Sequence, residues 1–330
     1  MDFTLDEAQE ELRSQARSFL ASRSPLSRVA ELAETDEGWD AGGWAEIAGL
    51  GWLGASVPER LGGAGLGFLE EALLLEEFGR ALYPGPYLAT VGLALPALPE
   101  EQLAEMAAGR RRWSVELRPG WPVPNLSQVD LVVAERDERL VAIPAAGALG
   151  PTVDPSRRTG HLAQGPETLL LEGPAAARAQ RLMRRRARAG LALEAVGLGA
   201  AVLELGVAHA RTREQFGRPI GAYQAVAHKL ADTYQELELA RSAAYWAAWC
   251  IAEDAPEADV AAASARALAC ETAVAACERV IQVHGGMGFT WDAPLHRYYK
   301  RALWLERFAW SPAECRAEVA AELLGEPTGG

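Results

Sequence analysis

ARTREQFGRPIGAYQAVAHKLAD, residues 210–232, joins two long helical patterns through a short loop carrying Arg213, Gln215, Phe216, Gly217, Arg218 and Gln224. Beyond it, Val226, Leu230, Tyr234, Leu237 and Arg241 recur on one stripe at helical spacing. Four such periodic segments follow one another, at about 176–211, 222–253, 259–284 and 295–324. Long helices with short connectors pack as antiparallel neighbours, so this part of the chain predicts a four-helix bundle.

The loop also suggests a ligand. Arginine offers forked donors suited to phosphate, and phenylalanine offers a flat face to a ring. Alone, an RxxFG turn is an ordinary helix–helix connection with solvated arginines. A second segment changes the balance: QVHGGMGFTWDAP, 282–294, closes the third helical pattern. Phosphate-cradling loops usually open a helix, and a glycine after a helix is commonly a cap in left-handed conformation, the bland reading of Gly285. At adjacent ends of one bundle, the two segments together fit a dinucleotide.

Upstream the texture differs. Leu12, Ala16, Phe19 and Leu20 mark an apolar stripe, with Asp6 and Glu7 at the expected helix start. A short helix is predicted at Ala41–Leu50. GWLGASVPERLGGAGLG, 51–67, is a turn-rich connector with six glycines and one proline. Helical period resumes from Phe68 to Leu82, stopped by Pro84 and Pro86. WSVEL, DLVVAE, RLVAIP and ETLLLEG then read as short strands of a small sheet or barrel. The expectation is a mainly α protein with a small middle β domain: helical domain 1–108, reduced β block 109–175 and helical bundle 176–330.

Of 330 residues, 49% are hydrophobic and 23% charged, as in globular enzymes. With 45 acids against 32 Lys and Arg, the net charge is −13, which argues against a surface built wholly for polyanions. Cys250, Cys270, Cys277 and Cys315 form no CxxC pair and read as small buried hydrophobes. Five scattered histidines give zinc no support, so no metal is expected. The acidic, amphipathic start is unlike a signal peptide. No run is read as reaching the roughly 18 apolar residues of a membrane span. A cytoplasmic protein is expected.

MDFTLDEAQEELR, GWLGASVPERLGGAGLG, ARTREQFGRPIGAYQAVAHKLAD and QVHGGMGFT, in this order, resemble the flavin-dependent acyl-CoA dehydrogenase family. The resemblance covers nearly the whole chain and is weakest in the middle. It implies α,β-dehydrogenation of an acyl-CoA substrate, the α-proton leaving to a carboxylate base and the β-hydride to FAD. It also implies that Arg213, Gln215, Phe216, Gln224, Gln282, Gly285 and Gly286 hold the ADP end of an FAD whose ring lies mainly in a neighbouring subunit of a dimer or tetramer. A backbone without Cβ lets a diphosphate approach closely, whichever way the helix points.

The sequence departs from the family where the chemistry sits. Counted from Gly286, the family's usual base falls at Ala309, and the alternative base at Ala187; neither is an acid. In place of the family's flavin-binding middle segment stand only LRPGWPVPN and DPSRRTG. Three acids are candidates for the empty post. Asp292 follows the glycine loop, although Asp near a helix start reads first as a cap. Glu306 lies one turn from Ala309. Glu194 sits among Leu191, Leu193 and Val196. Arg178, Arg181, Arg185 and Arg188, with Arg184 and Arg186 beside them, read as a solvated helix face. Contact with CoA phosphates or an acidic partner is the functional alternative, and nucleic acid ranks lowest.

The short length, reduced β block and missing base resemble the small subunits of heteromeric members of the family. The leading expectation is therefore a subunit that supplies ADP-end contacts while a non-identical partner supplies the base. The alternatives are a homo-oligomeric enzyme with Asp292 as base, and a non-catalytic binding or scaffold homologue.

Overall fold

The computed structural model describes residues 5–325. Helix α1 (Glu7–Arg23) starts at Asp6, whose side chain accepts from the Gln9 backbone while the Gln9 side chain accepts from the Asp6 N–H. Ala16 and Leu20 of the expected stripe are buried. Helix α2 (Leu26–Glu34) was not legible, whereas α3 (Ala41–Gly49) and α4 (Phe68–Arg80) fall where the periodicity put them. A π-helical turn at Leu88–Ala94 and α5 (Glu100–Ala107) complete the first part.

The middle block holds β1 (Trp113–Glu116), β2 (Leu131–Arg136), β3 (Arg139–Pro144), β4 (Gly147–Leu149), β5 (Gly160–Leu162) and β6 (Thr168–Leu171). The four apolar runs are β1, β2, β3 and β6, hydrogen-bonded in that order into one sheet. β1 and β2 run parallel, and the other pairs antiparallel. Asp137 and Glu138, both at positive φ, make the two-residue turn between β2 and β3. β4 and β5 pair separately. Their residues are mostly exposed, so no apolar run announced them.

The last part is α6 (Gly173–Thr212), α7 (Gln224–Ala252), α8 (Ala258–His284), α9 (Leu295–Arg307) and α10 (Pro312–Leu324). The expected fourth long helix is two helices. Ala309 takes a left-handed φ of 64°, and Ser311 caps α10 together with Glu314, with Pro312 in its first turn. The bundle is anchored to the N-terminal helices where α4 crosses α6. A Cβ at Gly197 would lie 1.9 Å from the Glu76 carbonyl oxygen, and one at Gly79 2.3 Å from that of Glu194. Only glycines allow that approach.

α6 and the α8 region contain windows long and apolar enough to cross a membrane, against the sequence expectation; those windows are 72% and 67% buried inside the fold. Both are core helices of the bundle. All four cysteines are buried and free.

Candidate functional site

Arg213 follows the last residue of α6, its N–H donating to the His209 carbonyl (2.9 Å). A two-residue ladder comes next, β7 (Glu214–Gln215) against β8 (Arg218–Pro219). Phe216 and Gly217 form its turn, both at positive φ, 52° and 79°. This is the tight hairpin geometry that glycine favours and phenylalanine tolerates poorly. The consequence is a Phe216 ring 93% exposed. The Tyr223 hydroxyl donates to the Gln215 carbonyl (3.0 Å), and the Arg218 guanidinium lies over the Tyr223 ring at 4.1 Å. These contacts brace the hairpin. The Gln215 amide bends back to the Glu214 carbonyl (2.8 Å), while Arg213 and Gln224 stay exposed.

The end of α8 adjoins this hairpin's root. The rings of His209 on α6 and His284 on α8 stack with centroids 4.1 Å apart and planes 17° off parallel. Gln282, Gly285 and Gly286 are exposed. Gly285 has φ 61° and ψ −140°, outside the left-handed helical well, so it is a special-geometry glycine but not the left-handed cap of the bland reading. A Cβ at Gly286 would meet nothing within 4 Å, and its φ is not positive. Nothing within this chain requires glycine there. Open donors, an exposed ring and room above two glycines suit the diphosphate end of a dinucleotide.

The acids proposed as base are placed otherwise. Asp292 does not cap α9: that helix begins after Pro294 without any side-chain cap. A proline at that position occupies the cap itself, leaving Asp292 two residues too early. Asp292 is exposed and lines a cavity of about 410 Å³ with His209, His284, Met287 and Thr290. Glu306 pairs loosely with Arg307 (3.5 Å).

Glu194 is buried and accepts from both Arg157 and Arg301, the latter at 2.8 Å. Arg301 is 0% exposed and also binds Asp154 and the Ser156 hydroxyl (2.6 Å). Burial alone would raise the Asp154 carboxyl, but the Arg301 charge and the bonds from Ser156 and Arg301 hold it below the usual range. Burial pushes Arg157 down to about 10 despite Glu194 and Asp154. Both guanidiniums bind the same oxygen, Oε1, while Oε2 is buried without a hydrogen-bond partner among the described residues. Glu194 is thus part of a buried ionic cluster, which its neighbours in sequence could not reveal.

Ala187 is fully buried within α6, and Ala309 lies in the α9–α10 turn between buried Phe308 and Trp310. Two guanidiniums approach the Trp310 ring. The Arg188 guanidinium lies over it at 4.8 Å, and that of Arg118 at 5.8 Å. Arg188 also donates to Glu318 (2.7 Å), and Arg118 lies over Trp121 at 4.2 Å. The cavity left beside Trp310 is about 170 Å³, lined by Glu116, Arg118, Gln180, Met183 and Arg184 among others.

The arginine run is thus only half a solvated face. Arg178, Arg181 and Arg184 are exposed. Arg185 binds Asp254 (3.0 Å) and Asp259 (2.8 Å). Arg186 is buried against Glu71 and the Val91 carbonyl (3.0 Å), and Arg188 is buried against Trp310. The two middle segments make contacts within this chain. DPSRRTG supplies Asp154, Ser156 and Arg157 to the ionic cluster, and LRPGWPVPN supplies Arg118 and Trp121 to the tryptophan stack.

Among the described residues no group of three or more His, Cys, Asp or Glu side chains could hold a metal. Comparison with known proteins gives a consistent picture. The family model "Acyl-CoA dehydrogenase, C-terminal domain" matches residues 177–309, and "Acyl-CoA dehydrogenase, N-terminal domain" matches 6–102. Acyl-CoA dehydrogenase IpdE2 of Mycobacterium tuberculosis is 32% identical over 338 aligned residues, covering 98% of this chain and 100% of the relative. Among solved structures, the Tcur3481-Tcur3483 steroid ACAD G363A variant is 30% identical with a TM-score of 0.87, covering 97% of this chain and 99% of that one. The ChsE4-ChsE5 complex from Mycobacterium tuberculosis is 26% identical with a TM-score of 0.88, covering 99% and 100%.

Proposed function

The chain belongs to the acyl-CoA dehydrogenase family, and from that premise we propose that it is one of two non-identical subunits of an FAD-dependent acyl-CoA dehydrogenase. Its contribution is the ADP end of the cofactor site. Arg213 forks onto the diphosphate and Phe216 offers its face to a ring. Gln224 and Gln282 supply amide donors, and Gly285 and Gly286 admit the phosphates to the backbone. The partner subunit supplies the carboxylate base and most of the acyl pocket. When bound, the flavin accepts the hydride lost from the β-carbon of the acyl thioester.

The observation that carries this reading is the contrast between two ends of the molecule. At the α6–α8 end, donors and an aromatic ring stand exposed around glycines. At the Ala309 turn, where the resemblance expects a base, the neighbouring Trp310 is buried with Arg118 and Arg188 over its ring. Two similar structures are each named for a pair of proteins, which supports looking for a second chain. The division at 1–108, 109–175 and 176–330, and a cytoplasmic dimer or tetramer, belong to the same proposal.

The test is co-purification from the native source, with the absorption spectrum of the complex. A flavoprotein containing this chain and a second acyl-CoA dehydrogenase-like chain is expected. Rapid flavin reduction by an acyl-CoA in the isolated chain would dismiss the reading. A second reading rests on Asp292, which lines the cavity shared with His209 and His284. In a homo-oligomeric enzyme with Asp292 as base, Asp292→Asn would lose turnover while keeping flavin.

A further inference from the structure

The strongest unexplained feature is the pair of stacked imidazoles between the two cofactor segments. His209 lies in the last turn of α6, and its carbonyl accepts from the Arg213 N–H (2.9 Å). His284 is the last residue of α8, immediately before Gly285. Its Nδ1 is 2.8 Å from the Val280 carbonyl oxygen. A carbonyl only accepts, so Nδ1 carries the hydrogen and Nε2 is left without it. Both rings border the cavity of about 410 Å³ that also holds Met287, Thr290 and Asp292.

We infer that His209 and His284 form a proton-linked grip, positioning the Gly285–Gly286 turn and taking up one proton when a diphosphate binds beside Arg213. The inference rests on the cofactor role proposed above.

Two rings stacked at 4.1 Å cannot both be cationic at modest cost, so the pair carries at most one positive charge. The charged or titratable groups facing His209 are Arg213 on its own helix end, His284 on α8 and Asp292 in the loop along the shared cavity. Burial, then His284, then Arg213 hold the His209 imidazole below its ordinary value. Both rings sit at helix C-termini, where carbonyl ends favour a cation. An anion on Arg213 offsets the one charge that opposes protonation from the ligand side. The imidazole pKa is then higher in the complex than in the free protein. By linkage, the added affinity is fully present below the free-state pKa and fades as pH rises through the pKa of the complex. The two histidines are positioning residues: His284 directly precedes the turn and His209 acts through its stack on His284.

The experiment is calorimetric titration of the chain, with its partner subunit where one co-purifies, using ADP-ribose as probe. Its diphosphate diester has no group titrating between about pH 5.5 and about pH 8.5. Buffers of different ionisation enthalpy count the protons exchanged. The expected result is uptake of up to about one proton and an affinity several-fold tighter at the acid end, since a shift of one pKa unit is about tenfold. His209→Phe, which keeps a stacked ring, should bind without proton uptake, as should His284→Phe if the first variant does not fold. His228→Gln, an exposed histidine on α7, should leave the uptake unchanged. Binding without proton uptake in the unaltered chain overturns the inference, as does uptake that survives both ring substitutions or vanishes with His228. Failure of ADP-ribose to bind at any pH removes the cofactor role itself, a separate outcome.

Discussion

The Arg188 guanidinium lies 4.8 Å above the Trp310 ring and donates to Glu318 on α10. One side chain thereby ties the middle of α6 to the turn after α9 and to the last helix. Trp310 directly follows Ala309, so the position where the family resemblance expects a base is bordered by a packed indole. Trp310→Ala should cost about 3–5 kcal/mol of stability, as large-to-small core changes do. Urea unfolding monitored by circular dichroism checks it; a midpoint unchanged from the parent would show that the indole is not packed as described.

The ionic cluster of Arg301, Arg157, Glu194 and Asp154 joins the middle block to the bundle. Removing Arg301 leaves Arg157 as the one cation beside two buried carboxylates, so Arg301→Met should destabilise by about 3–5 kcal/mol. Arg301→Met combined with Asp154→Asn, which leaves Arg157 paired with Glu194, should recover most of that loss, which unfolding curves of the single and double variants would reveal.

The same cluster predicts acid sensitivity of definite sign. Asp154 has a folded-state pKa below the ordinary aspartate value of 3.8. A depressed carboxylate contributes stability that is present above the unfolded pKa and is lost as pH falls through the folded one. Stability should therefore drop below about pH 4. Asp154→Asn should flatten this part of the pH profile; an unchanged slope would assign the acid sensitivity elsewhere.

Much of this arrangement was legible in the sequence because it depends on local period. The α6–α8 segments, α3, α4 and the four sheet strands follow from apolar spacing alone. The break at Phe308–Ser311 was readable in principle from Ser311-Pro312 and Glu314, a cap signal hidden inside an otherwise continuous helical pattern. The buried arginines were not readable. Arg186 and Arg188 find Glu71 and Glu318, 115 and 130 residues away. In sequence they are indistinguishable from exposed Arg181 and Arg184. At the candidate site, the exposure of Phe216 follows from a turn whose positive φ values only the structure displays.

Phe216 offers a separation of binding from folding. Its ring makes little burial and its backbone is strained, so Phe216→Gly should leave stability unchanged or raise it by up to about 1 kcal/mol. The same change should weaken FAD retention. Thermal unfolding of the purified variant and the flavin content of its complex with the partner subunit check both halves.

Arg213 and Gln282 are exposed, and substituting them should not disturb the fold. Loss of a charge-assisted bond to a diphosphate costs about 1.5–3 kcal/mol, so Arg213→Ala should weaken FAD binding by roughly 10- to 100-fold. Gln282→Ala should weaken it less. Normal FAD affinity in both variants would move the cofactor away from this end of the bundle.

The central claim is that this chain holds one end of a flavin whose chemistry is completed by another subunit. The most direct measurement compares flavin content and acyl-CoA-dependent bleaching of the isolated chain with those of the complex recovered from the native source. The account predicts that the isolated chain neither retains FAD nor shows bleaching, while the complex is yellow and bleaches on adding its acyl-CoA. Stoichiometric FAD on the isolated chain, reduced rapidly by an acyl-CoA, would contradict it.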